Sequence, residues 1–284
     1  MPSLRALVAA QHDVVLVVTQ PDRPGHRLRL TPPPVKVAAA ELRLRVAQPE
    51  RIRSDEAVAD IRDAAPELMV VVAYGQIIPA AVLGIPKRGV LNVHASVLPR
   101  HRGAAPIAHA ILAGDRTTGV TIMQMDEQLD HGPVLAVRET EIGKGENAAA
   151  LAERLSRLGA DLLVETIAKL DSIRPEPQEH ARATLAPRLS RDDGRLAWTL
   201  AAEEIDRRVR ALQPWPGVTV PFGSSTVKVL RGRMVAGEGE PGAVLEAGPD
   251  GVVVATASGA YRLEEVQVPG KRPMPARVLV AGGA

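Results

Sequence analysis

Asn92 and His94 stand two residues apart at the end of a short apolar run, Gly89–Val93, and an acidic stretch carrying Asp126 and Asp130 follows a second apolar run, Val120–Met125. Residues i and i+2 of a strand project to one face, so the amide and the imidazole point together. Burying both without partners is costly, which makes a ligand or a third polar group the natural reason for the pair. A carboxylate from Asp126 or Asp130 meets that need, because it holds an imidazole's tautomer and favours its charged form. An asparagine amide donates hydrogen bonds and suits an oxygen on which negative charge develops. Asn, His and Asp with no serine or cysteine nucleophile among them point to acyl transfer straight to an external acceptor. Ser96 keeps a serine hydrolase open, although no Gly-x-Ser-x-Gly elbow surrounds it. A metal site of His94, Asp130 and His131 is a further alternative that lacks the close ligand spacing of zinc motifs.

The loop Ser96–Ala105 (SVLPRHRGAA) follows directly. Pro99 restricts itself and Leu98, Gly103 permits unusual dihedrals, and Arg100 and Arg102 stand above the expected crevice.

These residues need a scaffold, and the chain predicts one. Uninterrupted aliphatic runs at Val14–Thr19 and Leu68–Ala73 read as strands buried on both faces. Helical patterns lie at Leu4–Val8, Val35–Leu42, Ser54–Ala65 and after Pro79, with Ser54 as an N-cap. The alternation reads as a parallel, doubly wound sheet, whose ligands bind at the carboxyl ends of the strands. Asn147–Leu170 is the longest amphipathic helix, with Leu151, Leu155, Leu158, Leu162 and Ile167 at helical spacing as core. Asp171–Arg191 has three prolines and no period, and reads as a linker. Beyond it come a helix at Ala201–Leu212 and short strands near 226–235, 243–246, 252–255 and 261–268, the pattern of a small β-barrel.

Composition narrows the function classes. The 284 residues contain no cysteine, which excludes disulfides, thiolate metal sites and a thiol nucleophile. With 35 Lys and Arg against 33 Asp and Glu, the net charge of +2 offers no global signal for nucleic acid, so RNA binding would need local clusters. One such cluster is the proline-rich loop Gln20–Pro34, with Arg23, Arg27 and Arg29. Neither an 18-residue apolar run nor a signal pattern is visible, so a cytoplasmic location is expected. The core must be aliphatic, since only Tyr74, Trp198, Trp215, Phe222 and Tyr261 are aromatic.

The stretches LNVHASVLP at Leu91–Pro99, RGAAPI at Arg102–Ile107, VTQPDRP at Val18–Pro24, TPPPVK at Thr31–Lys36, VVAYGQIIP at Val71–Pro79 and GVTIMQMDEQLDHGPVL at Gly119–Leu135 together resemble the 10-formyltetrahydrofolate-dependent formyltransferases. The likeness continues through DDGRLAW at Asp192–Trp198, PWPG at Pro214–Gly217 and GKRPM at Gly270–Met274, and is strongest to the members that act on methionyl initiator tRNA. It implies an α/β architecture: a Rossmann-like formyltransferase domain over 1–170, a linker over 171–191 and an OB-like β-barrel for tRNA over 192–284. It implies transfer of a formyl group from 10-formyltetrahydrofolate to the amino group of methionyl initiator tRNA in translation initiation, by a monomer, with no metal and no membrane. Asn92, His94 and Asp130 match the family's catalytic trio; Ser96, Val97, Leu98 and Pro99 match its folate-binding stretch. Arg23, Arg27 and Arg29 would meet the tRNA. Sugar-nucleotide formyl transfer, and a folate or tRNA binder without turnover, stay open as alternatives.

Three positions and one loop depart from the resemblance. Val97 stands at a usual leucine, His101 at a usual aromatic, His131 at a usual threonine, and the Gln20–Pro34 loop is about one residue shorter. The family also opens with a β-strand and a Gly-Thr-Pro loop ahead of PSLRAL, where Met1 stands here in place of a valine. The expectation is that a GTG valine codon was read as the start. The domain then lacks its first strand, a central one, and keeps two unpaired edges.

Overall fold

The structure, a computed structural model, describes residues 1–24 and 30–281. Two compact units form: Met1–Pro106 with Thr117–Glu141 and Glu153–Ala186, and Ile107–Arg116 with Ile142–Ala152 and Pro187–Ala284.

The chain begins with α1 (Pro2–Ala9), β1 (Val17–Val18), the pair β2 (Arg23–Pro24) and β3 (Leu30–Thr31), α2 (Pro34–Glu41), β4 (Val46–Ala47) and α3 (Asp55–Asp63). Ser54 caps α3 as its residue type predicts, its Oγ accepting from Ala57 N–H at 3.3 Å. Then come β5 (Met69–Val71), α4 (Ala80–Leu83), β6 (Val90–His94), α5 (Pro106–Ala113), β7 (Thr117–Gln124), β8 (Val134–Glu141) and α6 (Ala148–Ala168). The predicted strand at Val14–Thr19 is laddered only over Val17–Val18, because β4, its partner among the described residues, is as short.

The main sheet runs β5-β6-β7-β8. β5 and β6 are parallel, but β7 is antiparallel to β6 and β8 to β7. This corrects the all-parallel expectation. His94 pairs with Thr121 and Leu91 with Gln124, so the connection over 95–116 brings the chain back at the end where β6 finishes, and β7 runs the other way. An antiparallel neighbour needs no crossover along the strand it joins. β8 was not foreseen, although the outer half of Val134–Glu141 alternates between half-buried and exposed positions.

β1 and β4 form a separate two-stranded sheet, and among the described residues no ladder joins β1 to β5. Leu16 and Val18 nevertheless pack on the same apolar cluster as Met69 and Val71, around Ile52, Ile61, Ile78 and Val82. β1 and β5 thus share a core without sharing a ladder.

The second unit holds α7 (Ala202–Ala211), β9 (Val218–Phe222), β10 (Ser225–Val235), β11 (Val244–Gly248), β12 (Gly251–Ala255), β13 (Ala260–Gln267), β14 (Met274–Pro275) and α8 (Val278–Ala281). Its sheet is antiparallel in the order β11-β12-β13-β10-β9, with β14 on β13. The end strands β9 and β11 do not pair among the described residues, so the expected barrel is a partly open one. Buried Val220, Val229, Val252, Val254, Leu263 and Val266, with Ile205 and Val209 of α7, make its aliphatic core.

Candidate active site

β6 lies between two neighbours, which places its polar residues deep in the first unit. Asn92 is opposite Val71 of β5 and Met123 of β7, and His94 is opposite Thr121. Both side chains are buried, and both meet Asp130. Asn92 Nδ2 donates to Asp130 Oδ1 at 3.2 Å, and His94 Nδ1 lies 3.6 Å from Asp130 Oδ2. Gly103 N–H donates to the same Oδ2 at 2.8 Å. Each carboxylate oxygen therefore has a donor from a different segment. The other Asn92 amide hydrogen is uncommitted among the described residues.

His94 Nε2 is 2.9 Å from the His101 carbonyl. A carbonyl only accepts, so Nε2 carries a proton and Nδ1 is the nitrogen turned toward the carboxylate. The two acidic candidates thus separate. Asp130 joins the amide and imidazole, while Asp126 accepts from Gln128 N–H at 2.9 Å and sits 2.7 Å from His131 Nδ1. Since β7 is antiparallel, Asp130 does not come from a neighbouring carboxyl strand end. The chain leaves β7 beside the start of β6, with Met125 N–H on Val90 O at 2.8 Å, and the loop 126–133 folds back to reach Asn92 and His94.

The loop Ser96–Ala105 is pinned from below. Thr121 Oγ1 donates to Ser96 O at 2.7 Å and accepts from Leu98 N–H at 3.1 Å. Ser96 is fully buried and its Oγ donates to Arg100 O at 2.6 Å, so it faces its own loop rather than His94. That arrangement removes the serine-hydrolase alternative. Leu98 is buried as well, while Val97 and Pro99 are half-buried. His101 and Asp130 have positive φ, 59° and 46°, a region costing non-glycine residues on the order of 1 kcal/mol or more each. Strain held at two residues of one constellation needs neighbours that enforce it.

Those neighbours come from 176–186, within the stretch that reads as a linker. Val134 and Glu176 exchange backbone hydrogen bonds, both at 2.8 Å. Arg102 N–H donates to Thr184 O at 2.8 Å, Ala186 N–H to Arg102 O at 2.7 Å, and His101 N–H to Thr184 Oγ1 at 2.9 Å. Gly103 has φ +123° and lies so close to this strap that a Cβ there would come within 2.6 Å of Ala186 O. Sequence reasoning missed Thr121, Gln178 and Thr184. A lone Gln between Pro177 and charged residues carries no local signature.

At the rim His131 stacks on His180, with ring centroids 4.0 Å apart and planes within 4°. His131 thereby turns to Asp126 instead of joining His94 and Asp130 in a ligand set. His180 Nδ1 lies 2.9 Å from Arg102 Nη2, which only donates, so Nδ1 accepts. Desolvation of the His180 ring, then the nearby His131 and Arg102, hold its pKa below the usual histidine value, with Asp126 opposing. The residue is exposed as a whole; the face stacked on His131 is what loses water. Of the arginines expected to meet RNA, Arg23 is exposed and donates to Gln20 Oε1 at 3.1 Å, and Arg27 and Arg29 lie outside the described residues.

Two family models match the chain: formyl transferase over residues 3–167 and formyl transferase, C-terminal domain, over residues 188–283. A Thermus thermophilus protein named methionyl-tRNA formyltransferase is 50% identical over 277 residues, 97% of this chain and 90% of that protein. One of the same name from Chromobacterium violaceum is 46% identical over 282 residues, 99% of this chain and 92% of that protein. Among solved structures, WlaRD, a sugar 3N-formyl transferase, has a TM-score of 0.69 at 15% identity, covering 95% of this chain and 94% of that one. HypX from Aquifex aeolicus, in complex with tetrahydrofolic acid, has a TM-score of 0.64 at 21% identity, covering 85% of this chain and 43% of that one. These two structural likenesses concern the fold.

Proposed function

The chain belongs to the formyl transferase family, and we propose that it transfers the formyl group of 10-formyltetrahydrofolate to the amino group of methionyl initiator tRNA. The observation carrying this reading is one constellation, Asn92, His94 and Asp130, in a chain nearly half identical over almost its full length to proteins named for that reaction.

The folate, as co-substrate, supplies the formyl group. The incoming amine forms a bond to the formyl carbon, the bond from that carbon to the folate nitrogen breaks, and a proton passes from the amine to the leaving nitrogen. Holding the two reactants together makes the encounter effectively unimolecular. The uncommitted Asn92 N–H and the Nδ1 side of a protonated His94 stabilise the charge that develops on the formyl oxygen. Asp130, held by Asn92 and Gly103, orients His94 and assists the proton transfer. Ser96–Pro99 binds the folate, with Ser96 and Leu98 shaping the loop from inside and the backbone, Val97 and Pro99 left to make contact. Arg23, Arg27 and Arg29 meet the tRNA through phosphates, which carry no sequence information of their own.

Residues 1–170 form the catalytic domain in this reading, 171–191 connect it, and 192–284 bind tRNA; the chain works in the cytoplasm as a monomer. The test is formylation by the purified chain of charged initiator tRNA, beside an amino-sugar nucleotide. Turnover of the tRNA alone is expected, with Asn92→Ala slower by about 10²–10³-fold and folate binding nearly intact. Exclusive turnover of the sugar nucleotide would overturn the substrate, and near-normal turnover by Asn92→Ala the site.

A further inference from the structure

We infer that Gln178 is a positioning residue for Asp130, one that fixes the carboxylate and its amide donor in a single frame. The inference rests on the reading of Asp130 as part of the reacting site.

Gln178 is only 7% exposed, and all its polar capacity is used. Its Nε2 donates to Asp130 O at 2.9 Å and to Gly132 O at 2.7 Å, and its Oε1 accepts from Arg102 Nε at 3.1 Å and Nη2 at 2.6 Å. The orientation is unambiguous. A flipped amide would set its oxygen against two carbonyls and its NH2 against a guanidinium that only donates.

What matters is where these bonds lead. Two go to the turn that carries Asp130, including that residue's own carbonyl. The other two go to Arg102, whose chain neighbour Gly103 donates to Asp130 Oδ2. The carboxylate and its donor come from loops 27 residues apart in sequence, and one buried amide binds both loops. Asp130 needs such a hold because its φ of 46° is unfavourable for a side-chain-bearing residue. The turn is tight as well: a Cβ on Gly132 would come within 2.0 Å of Gln124 O. Releasing the amide leaves Asp130 free to relax, lengthens the Gly103 bond and shifts the oxygen facing His94.

The test uses the full chain with Gln178→Glu, which sets one carboxylate oxygen, in place of Nε2, against two carbonyls, and Gln178→Met, which keeps the volume without hydrogen bonds. Both should lower kcat by on the order of 10²-fold, the cost of a misplacement of about 1 Å. The KM for the folate should stay within roughly 3-fold, because uniform binding is untouched. Hydrogen exchange at the Gly103 amide should accelerate while the amides of β6 and β7 keep their protection. Unchanged kcat or unchanged Gly103 exchange in the folded variants overturns the inference. Accelerated exchange throughout β6 and β7 in both variants, or failure of both to fold, overturns it in favour of a role confined to holding the fold. If the wild-type chain does not formylate tRNA, the functional reading fails separately, and Gly103 exchange still decides the role of Gln178.

Discussion

The two flanks of the first unit's sheet are finished in opposite ways. On the β6–β7 flank, Asn92, His94, Ser96, Thr121, Asp130 and Gln178 each have a named partner, and a strap from 176–186 binds both site loops. On the β1–β5 flank the ladder stops, Val15 and Val72 are 40% and 43% exposed, and the buried Tyr74 hydroxyl has no partner among the described residues. The polar ties there run between side chains and backbone: Gln20 Nε2 donates to Tyr74 O at 3.0 Å, and Gln76 donates to Glu50 O at 3.0 Å and accepts from Ile52 N–H at 2.9 Å. The site constellation is therefore assembled on the flank where each of these site residues has a partner, although the buried Thr118 Oγ1 of β7 has none among the described residues. Beyond Asn92 and Gln178, three substitutions or conditions bear on this contrast.

The largest stability effect should come from tightening the closed flank beyond what it accepts. In Gly103→Ala the new Cβ meets Ala186 O at 2.6 Å, on a backbone with φ +123°. Strain and overlap together should cost about 2–3 kcal/mol, read as a lower urea midpoint, with turnover falling because Gly103 also holds Asp130. An unchanged midpoint would mean that the strap yields, and that the contrast between the flanks is overstated.

Much of the closed flank was legible beforehand. Period-two spacing put Asn92 and His94 on one face, and Pro99 and Gly103 marked a restrained loop; the resemblance singled out Asp130 over Asp126. The direction of β7 was not legible. Val120–Met123 is buried on both faces, so it lacks the alternation that marks a one-sided strand. Direction was set instead by the end of β6 to which the connection over 95–116 returns the chain, which no local pattern encodes. Gln178 and Thr184 were hidden for another reason: their partners are backbone groups and an arginine far away in sequence, and a Pro-rich, aperiodic stretch looks the same whether it hangs free or straps two loops. On the open flank, Val14–Thr19 reads as an ordinary buried strand, and nothing in its pattern marks where its ladder stops.

A smaller effect is expected at the rim of the closed flank, where His180 stacks on His131. Its native pKa lies below the ordinary histidine value of 6.5, so on acidification the unfolded chain takes up the proton first. Stability is then full above about pH 6.5 and is lost as pH falls from there through the lowered native value, because the unfolded state binds more protons in that window. Urea midpoints at pH 7.5 and 5.5 for wild type and His180→Asn provide the check. Acidification should lower the wild-type midpoint by more than the variant's. Parallel loss in both would assign the acid sensitivity to other groups.

The smallest effect belongs to the open flank. Val72 follows β5 directly and is 43% exposed, and threonine is close to its shape. If solvent truly lies against this side chain, Val72→Thr should change stability by no more than about 0.5 kcal/mol, as surface substitutions away from special features do. Turnover should be unchanged. A loss of more than about 1.5 kcal/mol would instead be the cost of placing a hydroxyl against apolar neighbours. That outcome would mean the flank is covered in solution by chain or by a second copy, and the contrast with the closed flank would disappear. A near-zero effect, beside the large cost at Gly103, would establish that the two flanks differ in packing as well as in hydrogen bonding.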